Sequence, residues 1–158
     1  MRIRSLRFGE LDVPESKIIT MARPILGFEA CDRFCLVEVE ELAPFLWFQS
    51  VEHAEVTFMV VNPSVFYPDY RIEINSKEIA ELRVEESGSV ETYVIVTIPD
   101  DPHKVSVNLQ GPVLINSENN LAKQLVLVNS RYRVRHYLMD SLESDREPLV
   151  TRGELVGV

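Results

Sequence analysis

Only six glycines and two cysteines occur in the 158 residues. So little glycine leaves no Gly-rich loop to cradle a phosphate and no Gly-x-Ser-x-Gly elbow for a nucleophile. Cys31 and Cys35 are too few for a disulfide framework and supply two zinc ligands at most, so they read as reduced, buried or half-buried thiols. The three histidines, His53, His103 and His136, stand alone in different segments, and no His-Glu-x-x-His occurs. Paired carboxylates at Glu40-Glu41, Glu85-Glu86 and Asp100-Asp101 read as solvated turns rather than an acid/base pair. These absences predict no enzyme, no metal and no cofactor.

Positive charge is also short. Sixteen Lys and Arg against twenty-five Asp and Glu leave a formal charge of -9. An acidic chain repels phosphate, so neither direct nucleic-acid binding nor an anionic membrane surface is expected. The longest apolar runs, such as Val94-Ile95-Val96, are far too short to span a bilayer. The opening Met1-Arg2-Ile3-Arg4-Ser5-Leu6-Arg7 has no apolar signal region, which makes the cytoplasm the expected compartment. Oligomeric state is left open by the sequence, with an acidic monomer as the default.

What is present is a series of short runs rich in β-branched and aromatic residues. They lie at 34–39, 44–51, 56–61, 71–74, 92–98, 105–109, 112–115 and 124–128, each bounded by Pro, Gly, Asn, Asp or Ser. Alternation in Arg71-Ile72-Glu73-Ile74 and in Val105 to Leu109 predicts half-buried antiparallel strands. Tyr93 to Val96 lacks alternation, which fits a strand buried on both faces. The N-terminal segment reads as strand with a bulge near Ser5, followed by a short strand at 17–21. One helix signal stands out: Asn75 can cap, Glu78 sits at N3, and Ile79 and Leu82 follow at i, i+3, for about two turns. A weaker turn is expected around 29–33. The prediction is an all-β fold with one short helix, a small antiparallel barrel-like domain over 1–138, then a polar tail over 139–158.

Charge and aromatics cluster. From Glu73 to Asp101 there are eight acidic residues and two basic ones. Arg131, Arg133 and Arg135 recur at i, i+2, i+4, either a solvated face, a patch for an acidic partner or the edge of an RNA footprint. Phe45-Leu46-Trp47-Phe48 reads mostly as core. The stretch Asn62 to Tyr70 carries two prolines and three aromatics between two runs, and it either packs on the barrel end or meets a partner.

Several ordered blocks then point one way. Pro44-Phe45-Leu46-Trp47-Phe48-Gln49-Ser50-Val51, Asn62-Pro63 with Phe66-Tyr67-Pro68-Asp69-Tyr70, and Val96-Thr97-Ile98-Pro99 with Asp101-Pro102 form the first three. Val107 to Asn116, Lys123-Gln124, Tyr132 to His136 and Gly27-Phe28-Glu29 complete the set. At this spacing they resemble the flagellar assembly factor (FliW) family, over roughly residues 11–137. Phe48 stands where that family commonly has Leu.

The resemblance implies a barrel-like binding protein rather than an enzyme. Members bind flagellin before export, and they bind CsrA, a small RNA-binding repressor of flagellin translation. It thus implies a chaperone-like role in flagellum biogenesis and translation regulation, exercised through protein partners. Expected contacts are Phe66, Tyr67, Asp69 and Tyr70 on the aromatic loop, with Asn108 and Asn116 flanking the Gly111-Pro112 turn. The asparagines could equally serve the turn backbone. Glu78, Glu81, Glu85 and Glu86 are expected to supply a negative potential that repels RNA from a docked CsrA. A β-barrel module for a small ligand or a reaction is the alternative.

Overall fold

The computed structural model describes residues 1–85, 89–128 and 130–141. Eleven strands run in chain order as β1 (Arg2–Ser5), β2 (Gly9–Asp12), β3 (Ile19–Arg23), β4 (Arg33–Glu38), β5 (Leu46–Ser50), β6 (Thr57–Val61), β7 (Val90–Thr97), β8 (Ser106–Val107), β9 (Val113–Asn116), β10 (Leu121–Gln124) and β11 (His136–Tyr137). One α-helix is α1 (Ser76–Ala80). Strands β3 to β7 pair in sequence as antiparallel neighbours. Then β7 pairs with β9, β9 with β10, and β10 returns in parallel to β3, closing a seven-stranded barrel. Closure leaves these strands no free edge over the paired length. On β7, Val90–Tyr93 pairs with β9 and Val96–Thr97 pairs with β8, so one long strand serves both the barrel and a small extension ending in β11.

Period-two alternation explains how this sequence fills two compartments. Phe48, Val60, Val113, Ile115 and Ala122 point inward with Ile19 and Phe34, and Phe34 stacks on Phe48 at 4.3 Å. Their neighbours Val61, Val94 and Val96 point outward, into a second cluster with Leu109, Tyr70 and Tyr132. Leu114 and Leu125 pack with Leu82 in a third, beneath α1. Tyr93 and Ile95 pack against the inner cluster and Val94 and Val96 lie in the outer one, so β7 is apolar on both faces, as its unbroken run indicates. Fully burying each such side chain stabilises the fold by roughly 1.5–3 kcal/mol before the entropy of ordering is counted.

The helix forms where its cap predicts: Asn75 Oδ1 accepts from Glu78 N at 2.9 Å. It is shorter than two full turns and runs on as turn to Arg83, a residue with positive φ. Several strand expectations change. Residues 71–75 alternate between exposed and half-buried but join no ladder. Instead, Ile72 and Ile74 cover the outer clusters as a flap. The expected 124–128 strand is paired earlier, as β10, while Leu125 N and Leu127 N still donate to Pro112 O and Gln110 O at 2.8 Å. The 105–109 run yields only the two residues of β8, both buried. Near Ser5 the chain turns rather than bulges, because Ser5 Oγ accepts from Arg7 N and Phe8 N.

The β1–β2 hairpin is a separate sheet docked on the barrel wall. Ser5 Oγ donates to Gln49 Oε1 at 2.7 Å, Thr57 Oγ1 donates to the same oxygen, and Gln49 Nε2 donates to Ser50 O and Val56 O. Arg7 lies 4.1 Å over the Trp47 ring and Phe8 meets its edge. Cys31 and Cys35 are free and buried, and burial pushes the Cys35 thiol up, away from the reactive thiolate. Residues 138–141 are helical, so the expected tail starts as ordered chain; its remainder, 142–158, lies outside the described residues.

Candidate partner-binding surface

The aromatic loop is built from a short cap. Asn62 Oδ1 accepts from Ser64 N, Pro63 opens a 3-10 turn, and Phe66 N and Tyr67 N donate to Pro63 O. Tyr70 N then donates to Tyr67 O. Proline at the first turn position lacks only a donor that would be orphaned there, and its fixed φ limits the loop's alternatives.

Beneath the loop lies a ring cluster. Tyr70 is buried and its hydroxyl donates to Leu109 O at 2.5 Å. Tyr132 packs 4.5 Å from Tyr70, and its oxygen accepts from Arg71 N at 2.7 Å. Tyr67 meets Tyr70, Tyr132 and His136 edge-on at 6.2, 5.8 and 5.4 Å, and Phe66 stacks on His136. Burial, then the neighbouring Tyr132, holds the Tyr70 phenol well above its ordinary ionisation range. Burial also pushes His136 down, against Asp140, so neutral imidazole is the favoured form. Phe66 and Tyr67 are half-buried, while Val65, Pro68 and Asp69 are exposed. The result is a stiff aromatic shelf with an acidic rim.

The expected site residues therefore divide. Phe66, Tyr67 and Asp69 reach the surface; Tyr70 supports them from below. Asn108 is half-buried and its Oδ1 accepts from Gln110 N and Gly111 N, which shapes the turn. At Gly111 a Cβ would come within 2.9 Å of the Asn108 and Gln124 side-chain amides, so a larger residue there displaces the side chains that hold the turn. Asn116 is fully buried. It donates to Leu82 O at 3.0 Å and accepts from Glu118 N, so it ties the segment after α1 to β9 and reaches no surface.

The acidic residues divide too. Glu78 and Glu81 pair with Lys123 Nζ at 2.8 and 2.5 Å, and Glu81 also pairs with Arg23 at 2.6 Å. Hydrogen bonds from Lys123, then Arg23, hold the Glu81 carboxyl below the usual carboxylate range. Burial alone would lower Lys123, but the two glutamates more than offset it. Two carboxylates and two cations nearly cancel at a distance, so this cluster fastens α1 to β10 more than it projects negative potential. Glu85 is exposed. Glu86 lies outside the described residues.

Two hollows flank the 71–75 flap. One, about 710 Å³, has an apolar floor including Ile72, Ile74 and Val90, with Tyr70 below and Glu85 and Glu91 at its rim. The other, about 550 Å³, lies between the flap and residues 125–128 and 130–132. Sequence reasoning missed the Lys123 anchor, Glu91 and His136. A lone lysine inside an apolar strand, opposite two glutamates three apart on a helix, was the available signal for the first.

Comparisons with known proteins agree with the geometry. The family model described as FliW protein matches residues 2–138. A flagellar assembly factor from Natranaerobius thermophilus is 40% identical over 141 residues, 89% of this chain and 93% of that one. One from Geobacter sulfurreducens is 38% identical over 148 residues, 94% and 92% of the two chains. Among solved structures, a crystal structure of the flagellar assembly factor FliW superposes with a TM-score of 0.81 at 30% identity, covering 87% of this chain and 96% of that one. No helix of the described residues is long and apolar enough to cross a membrane.

Proposed function

The chain belongs to the FliW family of flagellar assembly factors, and from that premise we propose that it binds flagellin and the RNA-binding regulator CsrA in the cytoplasm. Held by flagellin, it leaves CsrA free to repress flagellin translation. When flagellin is exported, the freed factor captures CsrA and repression is relieved. The role is regulatory and chaperone-like rather than catalytic, and the working unit is a monomer.

The observation that carries this reading is the aromatic shelf. Phe66, Tyr67 and Asp69 sit half-buried or exposed over locked rings, with the Glu85 and Glu91 rim alongside. Large aromatics fixed before binding lose little entropy on contact. Asn108 and Tyr70 serve the site indirectly, by holding the backbone beneath it, and Asn116 holds the segment after α1 that leads to Glu85.

Antagonism of RNA follows from charge. The formal charge of -9 gives a docked factor a negative potential close to the cationic surface that CsrA offers to phosphates. With a screening length of about 8 Å at physiological salt, carboxylates beside that surface repel RNA without covering it. Glu85 and Glu86 carry this role; Glu78 and Glu81, paired with Lys123 and Arg23, add less. The test is a titration of a CsrA–RNA complex with this protein at two salt concentrations. Glu85→Gln with Glu86→Gln is expected to preserve CsrA binding and reduce RNA release. Unchanged release would reject the charge mechanism. A Phe66→Ala, Tyr67→Ala variant that still captures both partners at wild-type strength would reject the shelf.

A further inference from the structure

Strand β10 pairs with β3 only as far as Lys123 opposite Arg23, because Pro24 then turns β3 away. The chain beyond joins no ladder through Leu127 and turns at Val128. Leu125 N and Leu127 N bond inward to residues 112 and 110, so by alternation the N–H and C=O groups of Val126 face the other edge, with Val128 following at the turn. Among the described residues those groups have no partner, and neither have those of Ile72, Glu73 and Ile74 on the facing flap. The 550 Å³ groove lies between these two unpaired segments. Its outer lip carries Val126 and Val128, 57% and 73% exposed.

We propose that this groove accepts one extended segment of a partner protein as an added strand, hydrogen-bonded to residues 124–128 on one side and to the 71–75 flap on the other. Rows of unpaired main-chain groups spaced for a strand recognise an extended chain and nothing else so well. Charge specifies the occupant. The bond from Arg71 N to Tyr132 brings Arg71 and Arg131 to one end, and the Lys123–Glu78 pair fixes a glutamate at the other. Glu73, between them, has no ion pair among the described residues. The segment therefore carries apolar residues at every second position, a carboxylate at the arginine end and a cation beside Glu73.

This inference rests on the reading that the chain works by binding proteins, and it adds a second contact surface to that reading. The probe is a blocked heptapeptide, Lys-Val-Thr-Val-Thr-Val-Glu, with an analogue N-methylated at alternate residues along each edge. Amide hydrogen exchange is followed by NMR on the full chain, with flagellin capture measured in parallel. The peptide is expected to slow exchange at Val126 and Val128 at least tenfold and to change Leu125 and Leu127 less than twofold. N-methylation and the exposed-site variant Val126→Asp, Val128→Asp are each expected to weaken binding at least tenfold, with the variant's melting temperature unchanged. No protection at Val126 and Val128, or equal binding of the methylated peptide, overturns the proposal. So does a concentration-dependent dimer abolished by the Asp variant, which makes a second copy the occupant. So does tenfold tighter peptide binding after truncation at Ser141, which makes the chain's own tail the occupant. Flagellin capture without amide protection sinks the groove alone; amide protection without capture of flagellin or CsrA sinks the proposed function alone.

Discussion

Replacing Tyr70 by phenylalanine removes one oxygen and keeps the ring. In the folded protein that oxygen donates to Leu109 O at 2.5 Å, and Leu109 is 1% exposed. Tyr70→Phe leaves a buried carbonyl without a donor, at a cost of about 1–3 kcal/mol. For a chain of this size each kcal/mol shifts the melting temperature by about 2–4 °C, so a loss of about 2 kcal/mol lowers it by about 4–8 °C. A pH arm follows from the same contact. The folded phenol keeps its proton well above the ordinary value of 10, because burial and then Tyr132 oppose ionisation. The unfolded chain releases that proton first. The stabilisation is thus complete below about pH 10 and is lost as pH rises beyond it. Wild type should lose stability more steeply than Tyr70→Phe in this alkaline range. The assay is a set of thermal and urea melts from pH 7 to 11. A melting temperature within 1 °C of wild type together with an identical alkaline slope would refute the reasoning.

Three further predictions rest on other contacts. Gln49→Leu strands the Ser5 and Thr57 hydroxyls that Gln49 receives; it should cost roughly 3–5 kcal/mol in urea unfolding and speed amide exchange in the β1–β2 hairpin first. Asn75→Ala removes the acceptor for Glu78 N and should cost about 1 kcal/mol, read by the same melts. Acid should loosen α1: the Glu81 carboxyl lies below its ordinary 4.5 when folded, so its contribution is present above that value and lost as pH falls through the folded one. Urea midpoints at pH 7 and pH 3 should therefore differ less for Glu78→Gln, Glu81→Gln than for wild type.

Much of the barrel was legible in the chain. The strand runs at 34–39, 44–51, 56–61 and 92–98 all occur, and the unbroken Tyr93 to Val96 marks the strand with two buried faces. The Asn75 cap was legible because its chemistry is local. What stayed hidden depends on long-range geometry. The alternation in Arg71 to Ile74 is real, but it shields the outer clusters from a flap, where no partner strand reaches it. The parallel return of β10 to β3 has no local signature. Within the site, the loop aromatics announced themselves by composition, whereas the neutralisation of Glu78 and Glu81 depends on Lys123, forty-two residues from Glu81 in the chain. Asn116 reads in sequence as a turn or surface asparagine; only the fold sets it under Leu82 O.

The central claim is that a stiff aromatic and acidic surface captures two proteins in turn. Its most direct test is calorimetric titration of the purified chain with flagellin and with CsrA, followed by addition of flagellin to the preformed CsrA complex. The account predicts saturable binding of each, weakened by Phe66→Ala with Tyr67→Ala. Heat of dilution alone from both partners would contradict it.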